Sequence, residues 1–256
     1  MLQVEILPVL DDNYIFVLHD AASGATAVVD PAEAEPVLAF LQRKGWRLDY
    51  VLNTHHHWDH VGGNLELHGA TGCRIAGARA DKDRIPGLDT FLAEGDRLAL
   101  GDNVIEVLEV PGHTRAHLAY WLPQAKRLFC GDTLFGLGCG RLFEGSAEQM
   151  WASLQKLAAL PGETLVYCAH EYTQANGRFA RTVEPGNGAL AERLRRVAEL
   201  RDRNESTVPS TLAEEVATNP FLRPSSAEIR ATLGLERAAD LQVFVALRCR
   251  KDSFKA

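Results

Sequence analysis

The sequence has no long hydrophobic run and no basic leader. No window of its 256 residues approaches eighteen consecutive apolar positions, so no membrane-spanning helix is predicted. The first residues contain no basic stretch, and Glu5, Asp11 and Asp12 interrupt their apolar character, so no signal peptide is predicted. We therefore expect a protein that is neither exported nor inserted in a membrane.

Cysteine is scarce and scattered. The five cysteines are odd in number and include no C-x-x-C pair, a pattern typical of reduced thiols rather than of a disulfide framework. Cys130 and Cys168, which fall in predicted strands, are interpreted as small buried packing residues and not as metal ligands. The expected location is the cytoplasm.

Positive charge is also in short supply. Lys and Arg number 27 against 34 Asp and Glu, which gives a net charge of −7. This balance argues against nucleic acid or an anionic membrane as the partner of the whole surface. The apolar share of 46% and the charged share of 24% are those of an ordinary globular protein, and the length predicts one or two domains.

What the sequence does have is a dense group of imidazoles directly after a predicted strand. Residues 54–60 contain four histidines and one aspartate, and neutral imidazole and carboxylate are ligands that zinc, iron and manganese ions accept. Residues two apart in an extended segment point the same way, so His55 and His57 can converge on one metal. Asp59 and His60, after a turn, can face a second. The alternative is a solvated histidine cluster on a loop.

Three further candidate ligands, His113, Asp132 and His170, each follow an apolar run that predicts a strand. Ligands at the ends of several strands are expected to meet at one rim of a sheet. Each alone would be more typical of a cap or a turn, but with His55, His57, Asp59 and His60 they make five histidines and two carboxylates. That is enough for two metals sharing one bridging carboxylate. His117 is interpreted as a strand-start residue with a local hydrogen bond.

These residues resemble the H-x-H-x-D-H pattern, with later His, Asp and His, of the metallo-β-lactamase fold hydrolases. Flanking motifs narrow the resemblance to the glyoxalase II, or hydroxyacylglutathione hydrolase, family. They run from residue 54 to residue 223, and the segment from Arg248 to Asp252 also fits. The motifs are THHHWDHVGGN, PGHT, GDTLF, CGRLFEG, YCAHEYT, VEPGN, VPSTLAEE and NPFLR.

The resemblance implies a site for two metal ions, with Zn²⁺ expected and iron or manganese as alternatives. The implied ligand sets are His55, His57, His113 and Asp132 for one ion, and Asp59, His60, His170 and Asp132 for the other. Water held between two such cations is acidified to hydroxide. That hydroxide, which Asp59 is expected to help orient, would cleave the thioester of S-D-lactoylglutathione into glutathione and D-lactate. This is the second step of methylglyoxal detoxification.

The resemblance also implies where the glutathione part binds. Cations of the family match Arg248 and Lys251, which are three apart and share one face of the last predicted helix. Arg141 and Tyr172 match further contacts, and Phe143 falls where some relatives have Tyr, so one hydroxyl contact is expected to be missing. Spacing alone favours a solvated basic C-terminus that complements the helix dipole.

The predicted fold class is α/β, an αββα sandwich of the metallo-β-lactamase type with an all-helical C-terminal domain; the layering comes mainly from the resemblance. We expect a dimetal hydrolase domain over residues 1–172 and a helical domain that binds the glutathione substrate over residues 173–256. Beyond His170 the pattern is helical, with no convincing strand signal. His19 is interpreted as a surface residue.

Several other functions stay open at this point. A mononuclear-iron persulfide dioxygenase of the same fold uses two His and one Asp, and the second ligand set favours hydrolysis without excluding it. A β-lactamase is disfavoured by the missing export signal, and an RNA-processing nuclease usually has a more basic face or a further domain. A non-catalytic metal-binding module is disfavoured because seven buried ligands without a metal would cost stability. A monomer is expected, with a glutathione thioester, and neither nucleic acid nor a membrane, as partner.

Overall fold

A computed structural model describes residues 2–254, and the chain divides into two compact units. The first consists of Met1–Glu109 with Ala116–Gly131, and the second of Val110–Arg115 with Asp132–Ala256. Within the described residues, no helix is both long and apolar enough to cross a membrane. The predicted domain boundary near residue 172 stays a prediction, and the ends of the predicted domains, residues 1 and 256, lie outside the described residues.

The described residues of the first unit, which begin at residue 2, form ten strands and three α-helices. The strands are β1 (Leu2–Val9), β2 (Asn13–Asp20), β3 (Thr26–Val29), β4 (Tyr50–Leu52), β5 (Arg74–Ala78), β6 (Thr90–Leu92), β7 (Arg97–Leu100), β8 (Asn103–Glu109), β9 (Leu118–Leu122) and β10 (Arg127–Gly131). The helices are α1 (Glu35–Lys44), α2 (Trp58–Val61) and α3 (Asn64–Thr71), with a 3₁₀ turn at Arg79–Asp81.

Strands β1 to β6 form one sheet in chain order. β1, β2 and β3 pair antiparallel, whereas β3, β4, β5 and β6 pair parallel. Strands β7 to β10 form an antiparallel meander, and it packs against the first sheet. The rings of Phe16 and Phe129 lie 5.5 Å apart, and the hydroxyl of Tyr120 donates to the carbonyl of Asn53 at 2.6 Å.

The parallel pairing of β3 and β4 brings two polar loops to the same edge of the sheet. Val29 pairs with Leu52, so the residues that follow both strands leave the sheet together. The amide of Asp30 donates to the carbonyl of Leu52 at 3.1 Å. This edge is where the histidine-rich loop begins.

In the part of the second unit that the structure describes, up to residue 254, there are four short strands and six α-helices. They are β11 (Leu134–Phe135), β12 (Gly138–Cys139), α4 (Ala147–Ala158), β13 (Leu165–Cys168), α5 (Thr173–Val183), α6 (Gly188–Asp202), β14 (Ser210–Thr211), α7 (Leu212–Thr218), α8 (Ala227–Leu233) and α9 (Asp240–Asp252), with a 3₁₀ turn at Pro220–Leu222.

A buried polar cluster on α6 and α7 holds the β11–β12 hairpin. One carboxylate oxygen of Glu215 accepts the amide of Leu137 at 3.0 Å, and its other oxygen pairs with the buried guanidinium of Arg193. The side-chain amide of Asn219 donates to two hairpin carbonyls at 2.9 and 3.1 Å. These bonds fix a turn in which Leu137 has a φ of 58°, which an L-residue adopts only when its surroundings hold it.

Two expectations about local structure were wrong. A strand does follow residue 170, because Ser210–Thr211 pairs antiparallel with β13; two residues are too few to leave a periodic signal. His19 is 8% exposed and not a surface residue. Its ring stacks on Trp46 at 3.8 Å, and its Nδ1 bonds the hydroxyl of Thr26 at 2.9 Å.

Candidate metal centre and substrate cavity

In the first unit, the loop after β4 brings His55 and His57 together. His55 is fully buried, and His57 has extended backbone immediately before α2. Nε2 of His55 lies 3.0 Å from Nδ1 of His57. Two nitrogen ligands of one tetrahedral zinc ion lie about 3.3 Å apart, given bonds of about 2.05 Å. The pair therefore fits the first two ligands of a single ion.

Asp30 orients two of the candidate ligands, and the sequence analysis did not identify it. It is 2% exposed, and its Oδ2 accepts both the hydroxyl of Thr54 at 2.6 Å and Nδ1 of His60 at 3.0 Å. Because the Thr54 hydroxyl hydrogen is used on Asp30, its oxygen accepts from Nδ1 of His55 at 3.1 Å. Both imidazoles are thus Nδ1–H tautomers with the Nε2 lone pair turned toward the site, a common arrangement for metal-binding histidines. The only sequence signal for Asp30 was that an aspartate lies directly after β3.

Asp59 and His60 lie on the short helix α2, and their ligand atoms are close. Oδ2 of Asp59 is 3.5 Å from Nε2 of His60. Asp30, His55 and His60 also offer three ligand atoms within 4.8 Å of one another. Since Asp30 bonds the Nδ1 side of His60, we assign it to orientation and not to metal binding.

His56 and His117 lie beside the ligands but face elsewhere. Arg84 has only donors, so its contact with Nε2 of His56 at 3.2 Å makes that nitrogen an acceptor. Nδ1 of His56 then donates to the buried Asp81 at 3.1 Å. His117 stacks on His55 at 4.7 Å and bonds the carbonyl of Leu118 at 3.0 Å. This agrees with the local hydrogen bond expected for His117.

In the second unit, Asp132 lies between two histidines. Its Oδ2 is 3.4 Å from Nε2 of His113, and its Oδ1 is 3.4 Å from Nε2 of His170. Nδ1 of His113 donates to the carbonyl of Arg141 at 2.9 Å, which again turns Nε2 toward the carboxylate. One oxygen for each imidazole is the arrangement that a bridging carboxylate needs. Together, these nitrogen and oxygen donors suit a divalent metal.

Gly140 allows the close approach behind Asp132. A Cβ at this position would lie 2.0 Å from the carbonyl oxygen of Asp132 and 3.2 Å from the Cβ of His113. No side chain fits there without moving the backbone that presents the carboxylate.

A cavity of about 470 Å³ in the second unit is lined by all five residues that were predicted to bind the substrate. His113 and Asp132 form part of its wall. The predicted residues are Arg141, Phe143, Tyr172, Arg248 and Lys251. The remaining wall, which sequence reasoning missed, is Phe135, Cys139, Ala175, Asn176 and Phe254.

The two cations of α9 make different contacts in this cavity. Arg248 is 4% exposed; it donates to the carbonyl of Cys139 at 2.9 Å and to Asp252 at 2.8 and 3.1 Å. Nζ of Lys251 lies 5.7 Å from the ring centres of Phe179 and Phe254. Burial lowers the pKa of Lys251, and the positive charges of Arg248, Arg141 and Arg178 lower it further, partly opposed by Asp252.

The aromatic residues of the cavity differ in exposure. Phe143 is 64% exposed and its ring lies edge-on to His113 at 5.2 Å. Tyr172 stacks on His170 at 4.8 Å with the rings 3° from parallel. Phe143, where the resemblance implies a missing hydroxyl contact, is thus the exposed aromatic residue of the cavity wall.

Comparison with known proteins shows two family models that match the chain and relatives that align with its whole length. The family model described as "Metallo-beta-lactamase superfamily" matches residues 9–170, and the one described as "Hydroxyacylglutathione hydrolase C-terminus" matches residues 171–254. A hydroxyacylglutathione hydrolase from Methylococcus capsulatus is 61% identical over 255 residues and aligns over 100% of each chain.

Two solved structures extend the comparison. ETHE1 from Myxococcus xanthus has a TM-score of 0.67 and 25% identity, with 97% of this chain and 98% of that chain covered. TTHA1623, solved in a di-iron-bound form, has a TM-score of 0.61 and 27% identity, with 86% of this chain and 100% of that chain covered.

Proposed function

The chain belongs to the hydroxyacylglutathione hydrolase family of the metallo-β-lactamase superfamily, and we propose that it hydrolyses the thioester of 2-hydroxyacylglutathiones, S-D-lactoylglutathione above all. Its membership confirms the predicted α/β fold class with a helical C-terminal region and makes it a hydrolase. The alternative of a persulfide dioxygenase is less well supported, because relatives of 50–61% identity bear the hydrolase name.

Two divalent ions are the proposed cofactors. The ligands of the first are His55, His57, His113 and Asp132, and those of the second are Asp59, His60, His170 and Asp132. Ions bound there would acidify a water and so supply hydroxide at neutral pH for attack on the thioester carbonyl. The position of Asp132, with each oxygen 3.4 Å from a different imidazole, supports its bridging role. Zn²⁺ is the proposed metal, and iron or manganese suits the same donors.

The protein's own groups hold and orient the reactants. We propose that Asp59 orients the hydroxide, while the imidazoles keep their Nδ1 hydrogens on Asp30, Thr54 and the carbonyl of Arg141. The carbon–sulfur bond breaks and glutathione leaves as a thiolate. Because a thiolate is a good leaving group, the chain needs no strong general acid.

Recognition of glutathione is proposed to occur in the cavity of the second unit. The observation that carries the proposal is that one cavity has Lys251, Arg248 and Arg141 in its wall together with His113 and Asp132. An elongated thiol carrier with two carboxylates, whose thioester must lie at the metal, suits such a cavity. We propose residues 173–256 as the part that supplies most of this recognition, in a cytoplasmic monomer.

Asp132→Ala tests the proposal directly. We expect elemental analysis to give about two metal ions per chain for the parent protein, and we expect the variant to lose both metal and S-D-lactoylglutathione hydrolysis. Seven ligands exceed what one tetrahedral ion needs. A parent protein with one tightly bound ion and full thioesterase activity would contradict the dinuclear site. Oxygen uptake with glutathione persulfide, in place of thioester cleavage, would establish the dioxygenase instead.

A further inference from the structure

Asn13 is the first residue of β2 and follows the turn at residues 10–12. It is 7% exposed. Its side-chain nitrogen donates to Oδ2 of Asp59 at 3.1 Å and to the backbone carbonyl of Asp59, also at 3.1 Å. Both hydrogens of one amide are therefore used on one residue, 46 positions away in the chain.

The chemistry of the partners fixes the orientation of this amide. A carboxylate oxygen and a backbone carbonyl oxygen only accept hydrogen bonds, so the Asn13 nitrogen, and not its oxygen, must face Asp59. The contact thus needs a hydrogen-bond donor at position 13; an aspartate there would place a second carboxylate beside Asp59.

The ending of α2 explains why Asp59 needs an outside donor. In a continuing helix, the amide of Gly63 would donate to the carbonyl of Asp59. Instead it donates to the carbonyl of Pro31 at 2.8 Å, and Asn13 bonds the Asp59 carbonyl. The same side chain then reaches the carboxylate, so backbone and side chain of Asp59 are fixed by a single group.

We propose that Asn13 is a positioning residue for the second metal ion, acting through Asp59. This rests on the proposed function, in which Asp59 is a ligand of that ion. The oxygen that Asn13 bonds is the one 3.5 Å from Nε2 of His60. A carboxylate oxygen has two lone pairs, so Oδ2 of Asp59 can accept from Asn13 with one and would have the other for a metal ion. The bond holds that oxygen toward His60.

Metal titration of the full-length apo protein tests the inference. Asn13→Leu has nearly the same shape as the parent residue but no donor. We expect it to keep one tightly bound Zn²⁺ and to bind the second about 10–100-fold more weakly, the usual effect of removing an outer partner of a ligand. The readout is the zinc affinity of each step, measured by competition with a chromophoric chelator. Asp11→Asn, at an exposed position of the same turn, is the matched control and should bind both ions like the parent.

A double variant separates positioning from a merely structural role. If Asn13 acts through Asp59, Asn13→Leu combined with Asp59→Ala should bind zinc like Asp59→Ala alone, since the coupled effects are not additive. Asn13→Ser, which keeps a shorter donor, should recover part of the second affinity. Equal weakening of both ions by Leu and Ser, together with a lowered melting temperature of the apo protein, would mean that Asn13 only supports the fold, and the inference would be overturned.

The inference and the function fail in different ways. Two tight ions in Asn13→Leu, with one lost in Asp59→Ala, would overturn the role of Asn13 and leave the ligand set intact. Two tight ions in Asp59→Ala would overturn the ligand set itself, and the inference with it.

Discussion

Among single residues, the two cations of α9 in the cavity wall, Arg248 and Lys251, have different surroundings and therefore different roles. The guanidinium of Arg248 donates hydrogen bonds to the Cys139 carbonyl and to Asp252, so its main role is to hold the wall of the cavity in place. The ammonium of Lys251 faces two aromatic rings, and a ring face neutralises little of its charge. We therefore propose that Lys251, more than Arg248, binds a carboxylate of the substrate.

Replacement of Lys251 should weaken substrate binding more than catalysis. We expect Lys251→Ala to raise KM for S-D-lactoylglutathione about tenfold or more, because a charge-assisted hydrogen bond contributes about 1.5–3 kcal/mol, with kcat and metal content largely kept. Steady-state kinetics and elemental analysis provide the check. Arg250→Ala, at an exposed position on the same helix, is the control; equal KM values in both variants and the parent would show that Lys251 does not bind the substrate.

Binding should also depend on pH through Lys251. Burial and the neighbouring Arg248, Arg141 and Arg178 lower its pKa, against the opposing charge of Asp252. The ammonium that binds a carboxylate is present below this pKa and lost above it. As the pH rises, the affinity for a non-hydrolysable S-alkylglutathione should therefore fall at a lower pH than the pKa of an ordinary lysine, which is about 10.4.

The conservative variant identifies the group that titrates. In Lys251→Arg the cation stays charged throughout this range, so the fall in affinity of the S-alkylglutathione should disappear. An unchanged pH profile in this variant would assign the titration to another group, such as the amine of the ligand.

At the level of elements, the β11–β12 hairpin depends on α7 for its shape. Glu215 is fully buried and bonds both Arg193 and the hairpin amide of Leu137. Removing one member of a buried ion pair leaves the other charge unpaired and costs about 3–5 kcal/mol. We expect Glu215→Ala to lower the free energy of unfolding by that order in urea titrations. KM should rise too, because the hairpin supplies Phe135 and Cys139 to the cavity.

An exposed ion pair on α6 provides the control for Glu215→Ala. Glu192 and Arg196 lie one helical turn apart on α6, 3.5 Å from each other, and both are largely exposed. Such pairs contribute little to stability, so Glu192→Ala should unfold like the parent. Similar losses in the two variants would mean that the buried cluster does not hold the hairpin.

The candidate ligands were the easiest residues to identify from the sequence, because they follow predicted strand ends in a short, dense spacing. His55, His57, Asp59 and His60 lie within six residues, so local geometry alone brings them together. Asp30 bonds Thr54 and the candidate ligand His60, but it follows the neighbouring parallel strand, and only the pairing of Val29 with Leu52 reveals it. His19 was misjudged for a similar reason, because its stacking partner Trp46 lies 27 positions away. Asn176 and Phe254 lie in the cavity wall because of how the helices pack. The spacing of residues within one helix does not determine that packing, so the sequence did not predict them.

For the whole molecule, the boundary predicted near residue 172 is best tested by cutting there. In the second unit, Trp151 of α4 packs on Phe244 of α9 at 5.6 Å, and Asn219 bonds the β11–β12 hairpin. Loss of residues 173–256 would expose these faces. We expect a chain that ends at residue 172 to aggregate or to lose resistance to trypsin across residues 132–172, as exposed apolar faces favour. A soluble truncated protein that keeps its metal would establish residue 172 as a folding boundary.

The hydrogen bonds on the Nδ1 atoms have a consequence for how the protein acquires its metal. Thr54, Asp30 and the Arg141 carbonyl hold His55, His60 and His113 in place through contacts formed by the polypeptide itself. These rings therefore lose their rotational freedom when the chain folds, and not when an ion binds. Because ion binding does not have to order the rings, the affinity for the ion is higher. Folding and loading are then separable events. Chelator-treated protein should keep its circular dichroism spectrum and recover activity when metal is returned, without refolding.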